Sequence, residues 1–216
     1  MLTICALSGK APYTKRHLFT EGGQYRNNEN GVGKWMGRGA ELLNLAGEVR
    51  EEQFTAVRNG LDPSTKQFLR PRQSSNRFDK VGKCTGKARS LYDFTVSAPK
   101  SVSVQAIVDP RLLDAHAGAV SVMAAEMESL ANTRVRRNGA DENRTTGNLI
   151  LAVYHRDTSR KLDPQLHSHL IAANLTYDQE EERWKALQAA AIYSGVAYLT
   201  KVYRNALAGF VNDVWL

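Results

Sequence analysis

The stretch LILAVYHRDTSRKLDPQLHSHLIAANL, residues 149–175, decides the fold that we predict for this chain. It holds two apolar runs, Leu149–Tyr154 and Leu170–Leu175, whose length and composition are typical of buried strands. The polar segment between them, Arg156–Pro164, can fold the second strand back on the first. The sequence therefore predicts a strand–loop–strand unit around which the rest of the chain is organised.

Three of the five histidines of the chain fall in this unit. His155 closes the first run, and His167 and His169 open the second. Because side chains two positions apart on a strand point to one face, His167 and His169 are predicted to lie side by side. The loop would bring His155 to them. Three neutral imidazoles that converge from strands form a metal site with open coordination positions, which suits a metal that also holds a substrate oxygen.

A second interpretation of these histidines needs no metal. One of them would cap a loop, and the other two would lie on a polar face of the sheet. This accounts well for a single histidine and poorly for three, because burying an imidazole pair without a ligand costs desolvation free energy. We therefore predict a metal held by His155, His167 and His169.

The composition indicates an anionic partner without identifying one. The 216 residues carry a formal charge of +7 and a pI near 9.5, although many basic proteins of this size have no anionic partner. The two cysteines, Cys5 and Cys84, lie far apart and form no disulfide framework, which favours a cytoplasmic location. No apolar run approaches the length of a membrane span, so we expect no membrane partner.

A strand predicted at Ser90–Ser97 carries one acidic residue, Asp93, among aromatic neighbours. Alternation places Asp93 on the same face as Leu91 and Thr95, opposite the aromatic side chains. A lone carboxylate at such a position requires a partner or a function.

The segment Leu61–Arg89 lacks apolar periodicity and carries eight lysines and arginines against two aspartates. It is either a solvated loop or a functional one. Long loops inside compact domains are more often functional or mobile, and the basic bias suits a phosphate backbone.

Three blocks of the sequence resemble a known family. They are Trp35–Ala40 (WMGRGA), Tyr92–Ser103 (YDFTVSAPKSVS) and Thr146–Asn174 (TGNLILAVYHRDTSRKLDPQLHSHLIAAN). Together they resemble the conjugative relaxases of the MobF class, which belong to the HUH (histidine–hydrophobic–histidine) endonuclease superfamily. Serine stands between the two histidines here, as small hydroxyl residues usually do in this class. The resemblance covers essentially the whole chain.

The resemblance implies a fold and an activity. The fold is α+β, with a central, mainly antiparallel β-sheet flanked by helices. We expect one relaxase domain over residues 1–216, truncated at its C-terminus, because relatives usually continue into segments that clamp DNA. The implied activity is the nicking and rejoining of one strand of plasmid transfer-origin DNA through a covalent 5′-phosphotyrosine.

The resemblance also implies roles for single residues. The three histidines would bind the metal ion. Mg²⁺ or Mn²⁺ is the expected ion for turnover, although imidazole ligands also suit Zn²⁺ or Ni²⁺. Asp93 matches the acidic position of the family, which accepts a proton from the nucleophile or orients a ligand histidine. Relatives usually carry two pairs of adjacent tyrosines, and here each pair is reduced to one. Tyr13, just after a first strand predicted at Leu2–Leu7, is the first choice for the nucleophile, and Tyr25, at the expected distance before Trp35, is the second.

The expected macromolecular partner is single-stranded DNA of a plasmid transfer origin, with accessory relaxosome and type IV secretion coupling proteins as further partners. Two other functions stay open: a three-histidine metallohydrolase acting on a small substrate, and an inactive module that binds single-stranded DNA. The residues predicted to contact DNA are Lys15, Arg16, Arg70, Arg72, Arg77, Lys100 and Arg156.

Overall fold

The centre of the molecule is an antiparallel sheet of five strands, which confirms the predicted α+β class. The structure is a computed structural model that describes residues 1–8, 32–73, 75–137, 139–159, 161 and 163–215. The five strands are β1 (Leu2–Ser8), β2 (Lys34–Met36), β5 (Arg89–Ser97), β8 (Leu151–Thr158) and β9 (Pro164–Ala173). They follow the order β1-β5-β9-β8-β2, and each pairs antiparallel with its neighbours.

The central pair, β8 and β9, is the unit predicted from residues 149–175, but both strands are longer than predicted. Strand β8 runs on through His155 to Thr158 and β9 begins at Pro164, so that both ends of the predicted loop belong to strands. In the register, His155 lies opposite Ser168 and Arg156 lies opposite His167, before a register shift near Thr158. Residues directly opposite each other in an antiparallel pair point to the same face. This register therefore decides which side chains can meet.

Helices account for most of the remaining core. They are α1 (Arg38–Leu42), α2 (Glu51–Arg58), α3 (Lys100–Gln105), α4 (Arg111–Ser129), α5 (Ala190–Ser194) and α6 (Val196–Trp215). The spacing of Leu113, Val120, Met123 and Met127 predicts an amphipathic helix over residues 110–131, and α4 lies there. The pattern of residues 188–216 also predicts a helix, which the structure divides into α5 and α6 at Gly195. Within the described residues, none of the helices combines the length and apolar character needed to cross a membrane.

One face of the sheet packs against α4 and α6, and we call it the α4/α6 face. Alternate residues of each strand point into this core, where they meet the buried stripes of both helices. Strand β8 contributes Leu151 and Val153, and strand β9 contributes Leu170 and Ala172, all of them buried. His155 follows Leu151 and Val153 in the same alternation and points the same way.

The opposite face carries a second core around Trp35, and we call it the Trp35 face. It receives the other alternate residues, among them Tyr154 of β8 and Ile171 of β9, together with apolar residues of α1 and α2. The side chains of β5 that point here include Leu91 and Asp93, as predicted from alternation. The apolar rows on this face end in polar residues towards the start of β9.

The remaining strands form three small sheets. The first joins β6 (Asn132–Arg137), β7 (Ala140–Thr145) and β12 (Leu187–Gln188); the second joins β10 (Thr176–Asp178) and β11 (Arg183–Lys185); the third joins β3 (Arg77–Phe78) and β4 (Cys84–Gly86). The sequence predicts a hairpin with arms Thr133–Arg137 and Arg144–Tyr154 around a turn that begins at Asn138-Gly139. The prediction of the second arm, the partner of β6, is wrong. The partner is β7, a largely exposed polar strand whose sequence carries no apolar pattern.

A buried carboxylate ties two of these sheets together. Asp178 at the end of β10 lies 2.9 Å from Nη1 of Arg144 on β7 and 3.1 Å from Nζ of Lys185 on β11. The side chain of Asp178 is almost fully buried, so both cations compensate a charge that would otherwise be costly to desolvate.

Candidate active site

Asp93, Thr95 and His169 form a hydrogen-bonded group at the polar end of the Trp35 face. Nδ1 of His169 lies 3.0 Å from Oδ1 and 3.1 Å from Oδ2 of Asp93, and Oγ1 of Thr95 lies 3.1 Å from the same nitrogen. Thr95 also donates to Oδ1 of Asp93 at 3.2 Å. Because a carboxylate only accepts hydrogen bonds, Nδ1 of His169 carries the proton, and Nε2 keeps its lone pair. Asp93 is only 7% exposed and orients the ring of His169.

His167 stands beside this group in the same tautomer. Its Nδ1 donates to the backbone carbonyl of Gln165 at 2.8 Å, and its ring centroid lies 5.3 Å from that of His169. Burial lowers the pKa of His167, with smaller effects from neighbouring groups, so the ring is neutral at physiological pH. The site therefore presents two neighbouring imidazoles, each with its Nε2 left to accept a proton or bind a cation.

The structure does not bring His155 to this pair, which corrects the predicted three-histidine convergence. His155 lies opposite Ser168, on the α4/α6 face, and its Nδ1 lies 2.7 Å from Oγ of Ser168. Within the described residues, no group of three or more histidine, cysteine, aspartate or glutamate side chains is arranged to hold a metal ion. The prediction failed because the strand continues through His155, so alternation rather than loop flexibility sets its direction.

Arg156 takes the position next to the histidine pair. It lies opposite His167 and is 8% exposed. Its guanidinium carbon lies 5.8 Å from the ring centroid of Tyr154, two residues earlier on the same face, and its Nη1 donates to the carbonyl of His155 at 3.0 Å. A permanent positive charge thus borders the two imidazoles.

Behind the sheet, His155 belongs to a buried row of hydrogen bonds. Nδ1 of His116 on α4 lies 2.6 Å from the hydroxyl of Tyr203 on α6, and its Nε2 lies 2.7 Å from Oγ of Ser168. Ser168 in turn contacts His155, so the row crosses from helix to strand. From the sequence alone, the simplest position for His116 is the surface of its helix. The structure contradicts this prediction: the exposed fraction of His116 is 0%, and burial lowers its pKa to about 3.

Comparison with known proteins identifies the family. The sequence model of the TrwC relaxase family matches residues 8–214, nearly the whole chain. The chain belongs to the TrwC relaxase family. This confirms the relaxase resemblance drawn from the three sequence blocks.

Two curated relatives of this relaxase chain are multifunctional conjugation proteins. TraI of Escherichia coli (strain K12) is 40% identical over 177 residues, which cover 81% of this chain and 9% of TraI. A second TraI of Escherichia coli is 42% identical over 158 residues, covering 72% of this chain and 8% of that protein. The chain thus spans less than a tenth of the length of the curated relatives that it matches.

Solved relaxase structures share the fold over the full chain. The metal-bound structure of the conjugative relaxase TrwC in complex with oriT DNA has a TM-score of 0.83 and 30% sequence identity, covering 99% of this chain and 70% of that one. A copper-bound TrwC complex with oriT DNA has a TM-score of 0.81 at 31% identity. TrwC with a 27-mer DNA comprising the recognition hairpin and the cleavage site has a TM-score of 0.80 at 30% identity. The likeness confirms the antiparallel relaxase sheet with flanking helices.

The predicted DNA-contacting residues of this relaxase domain fall in different places. Lys100, the first residue of α3, donates from Nζ to the carbonyl of Pro164 at 2.8 Å, three residues before His167. Arg70 instead lines a cavity with Arg89, which pairs with Ser8 at the opposite end of β5 from Thr95. Arg70 is therefore separate from the histidine pair.

The other predicted positions are either exposed or undescribed. Arg72 and Arg77 are exposed in the segment that carries the short hairpin of β3 and β4. Four predicted residues lie outside the described residues: Tyr13, Lys15, Arg16 and Tyr25.

Sequence reasoning missed three residues of this neighbourhood. Thr95 was placed on the correct face but given no role. His116 falls on the buried stripe of α4, four residues after Leu112 and four before Val120, and that spacing could have revealed its burial. Tyr203, about 90 residues later in the chain, left no local signal of its contact with His116.

Proposed function

We propose that this chain is the DNA-cleaving part of a conjugative relaxase. It nicks one strand of plasmid transfer-origin DNA through a tyrosine that becomes joined to the 5′ phosphate, and the free 3′ hydroxyl reverses the reaction. The observation that carries this proposal is the family match over residues 8–214, together with the likeness to TrwC solved with oriT DNA. Accessory relaxosome and coupling proteins would join the same reaction in the cytoplasm.

The Asp93–His169 pair supports a role for Asp93 as a positioning residue. Both carboxylate oxygens lie within hydrogen-bond distance of Nδ1 of His169, so the carboxylate holds the ring in one orientation and one tautomer. A tyrosine phenol has a pKa near 10 and attacks only after it loses its proton. Nε2 of His169 would take that proton while the scissile phosphate lies against the histidine pair and Arg156.

Covalent reach allows both candidate tyrosines. Ser8 pairs with Arg89, which lies six residues along β5, or about 20 Å, from Thr95, the residue that pairs with His169. The backbone from Ser8 to Tyr13 can extend about 17 Å, and the tyrosine side chain adds several ångströms, so the phenol of Tyr13 can reach the histidine pair. Tyr25 precedes Val32 by seven residues, about 24 Å of backbone reach, and the next residue, Gly33, adjoins Tyr154 opposite His169. Sequence context therefore decides between them, and it favours Tyr13.

The donor set does not fit a three-ligand metal site. TrwC is solved in metal-bound and copper-bound forms. In this chain His167 and His169 supply two imidazoles, and a guanidinium stands where a third donor would be needed. The predicted Mg²⁺ or Mn²⁺, and the Zn²⁺ or Ni²⁺ alternatives, stay predictions, and no step above depends on an ion. The same donor set disfavours the metallohydrolase alternative, which needs three histidines around one ion.

Covalent capture of DNA tests the proposal. The purified chain is incubated with labelled single-stranded oligonucleotides tiled across the plasmid transfer origin, and the products are separated on a denaturing gel. We expect a protein–DNA adduct that survives denaturation, is lost in Tyr13→Phe and still forms with Tyr25→Phe. Loss in Tyr25→Phe alone would reverse the tyrosine assignment. Binding of the oligonucleotides without any adduct would refute the enzyme and support the inactive binding module.

A further inference from the structure

The residue of β8 that faces the histidine pair is an arginine, Arg156. On the Trp35 face, the row of β8 that passes through Tyr154 ends in Arg156, directly opposite His167. The row of β9 on that face holds His167 and His169. The group of side chains that meets here thus contains two imidazoles and one guanidinium.

We propose that Arg156 supplies the fixed positive charge that holds the scissile phosphate, in the position where a metal-binding site would require its third donor. The identity of the phosphate as DNA rests on the function proposed above. The second part of the proposal concerns metal binding and does not rest on that function. It states that His167 and His169 alone bind divalent ions weakly and that His155 adds nothing to that affinity.

The chemistry of a guanidinium supports this assignment. Arginine keeps its charge at every physiological pH and offers a planar fork of N–H groups that matches the oxygens of a phosphate. The same charge repels a divalent cation a few ångströms away, since like charges disfavour each other strongly in partly buried surroundings. Arg156 is held in place by Tyr154 and by the carbonyl of His155, so its charge is preorganised.

His155 cannot replace Arg156 without refolding the strand. Exchanging the two side chains between faces requires a one-residue slip of β8 against β9, which would also move Val153 out of its core and Tyr154 into it. The contact of His155 with Ser168 adds a second barrier, because this buried hydrogen bond would be lost in the slip.

Calorimetric titration with Ni²⁺ tests the metal part without DNA. We compare the unchanged chain with His155→Ala, His169→Ala, Arg156→His and Arg156→Lys, each checked for folding by circular dichroism. We expect weak binding that His155→Ala changes less than twofold and that His169→Ala weakens at least tenfold. Arg156→His should tighten binding at least tenfold, because it places a third imidazole on the correct face, whereas Arg156→Lys should not.

Two results would overturn the inference. One is a tenfold or larger loss of Ni²⁺ affinity in a folded His155→Ala variant, which would mean that His155 is a ligand. The other is a folded Arg156→His variant that binds Ni²⁺ no more tightly than the unchanged chain.

The rate of adduct formation separately tests the phosphate-holding role of Arg156. With the oligonucleotide substrate, the unchanged chain should form adduct at the same rate, within twofold, in the presence of EDTA, and Arg156→Lys should slow it at least tenfold. Loss of adduct on chelation would refute the phosphate-holding role of Arg156. If the chain forms no adduct under any condition, the proposed function fails, while the Ni²⁺ titration still decides the metal part.

Discussion

Replacing His116 by glutamine should reduce the loss of unfolding free energy that the chain shows as the pH falls. His116 is fully buried between Tyr203 and Ser168, and burial, with repulsion from His155, His167 and the N-terminal amine, lowers its pKa from 6.5 to about 3. The folded state therefore holds a neutral imidazole over a pH range in which the unfolded chain binds a proton.

The magnitude follows from the two pKa values. Between pH 6.5 and pH 3, one more proton is bound by the unfolded chain, so the free energy of unfolding falls by about 1.4 kcal/mol per pH unit from this group. Its contribution is complete above pH 6.5 and is lost as the pH falls towards 3. Between pH 7.5 and pH 4.5 the loss is roughly 3 kcal/mol, a large share of the stability of a typical domain.

Urea unfolding at a series of pH values measures the effect. Glutamine can still donate and accept hydrogen bonds but does not titrate, so it isolates the proton of His116 from the other groups. We expect the unchanged chain to lose roughly 3 kcal/mol more than His116→Gln between pH 7.5 and pH 4.5. Parallel curves for the two proteins would refute the reasoning, whatever their absolute stabilities, because they would mean that His116 titrates equally in the folded and unfolded states.

Other substitutions test other parts of the structure. Asp93→Asn should slow adduct formation by about 10- to 100-fold without unfolding the chain, as judged by denaturing gel and circular dichroism, because the amide no longer fixes the ring of its histidine partner. Gly33→Ala should lower the free energy of unfolding by about 1–3 kcal/mol in urea titrations, since the new Cβ would lie 2.3 Å from Cε1 of the buried Tyr154. Its matched control, Gly209→Ala, meets no atom within 4 Å in the middle of α6 and should raise the melting temperature through roughly 0.5–1 kcal/mol of helix propensity. Asp178→Ala should destabilise by about 1–3 kcal/mol, measured by thermal unfolding, because it removes the buried acceptor of Arg144 and Lys185 and leaves them only the more exposed Glu180 and Glu181; unchanged stability would contradict that role.

Local pattern predicted the strands and helices well where one face is buried. The apolar runs of β8 and β9, the stripe of α4 and the alternation around Asp93 all correspond to elements of the structure. Polar elements escaped prediction: β7 is exposed along most of its length, so its sequence carries no burial signal.

The candidate site was predicted only in part, because the face to which a strand residue points changes with every one-residue shift. Periodicity within β9 correctly paired His167 with His169, since both belong to one strand. Placing His155 required the register between two strands, which depends on the length of the connection and on the register shift beside Thr158. An error of one residue in the register moves every side chain of the strand to the other face. For this reason the prediction placed His155 beside the histidine pair, where the structure has Arg156.

The row of Tyr203, His116 and Ser168 restricts how related proteins can diverge. Each of the three side chains is bonded to the next by one hydrogen bond. A substitution at one position therefore leaves a buried polar atom of the next side chain without a partner. Related proteins that lack the hydroxyl of Tyr203 should therefore also lack the histidine at position 116. We expect apolar residues of similar volume at both positions. These three positions should covary as a set across the family, even though 52 and 87 residues of chain separate the histidine from its two partners.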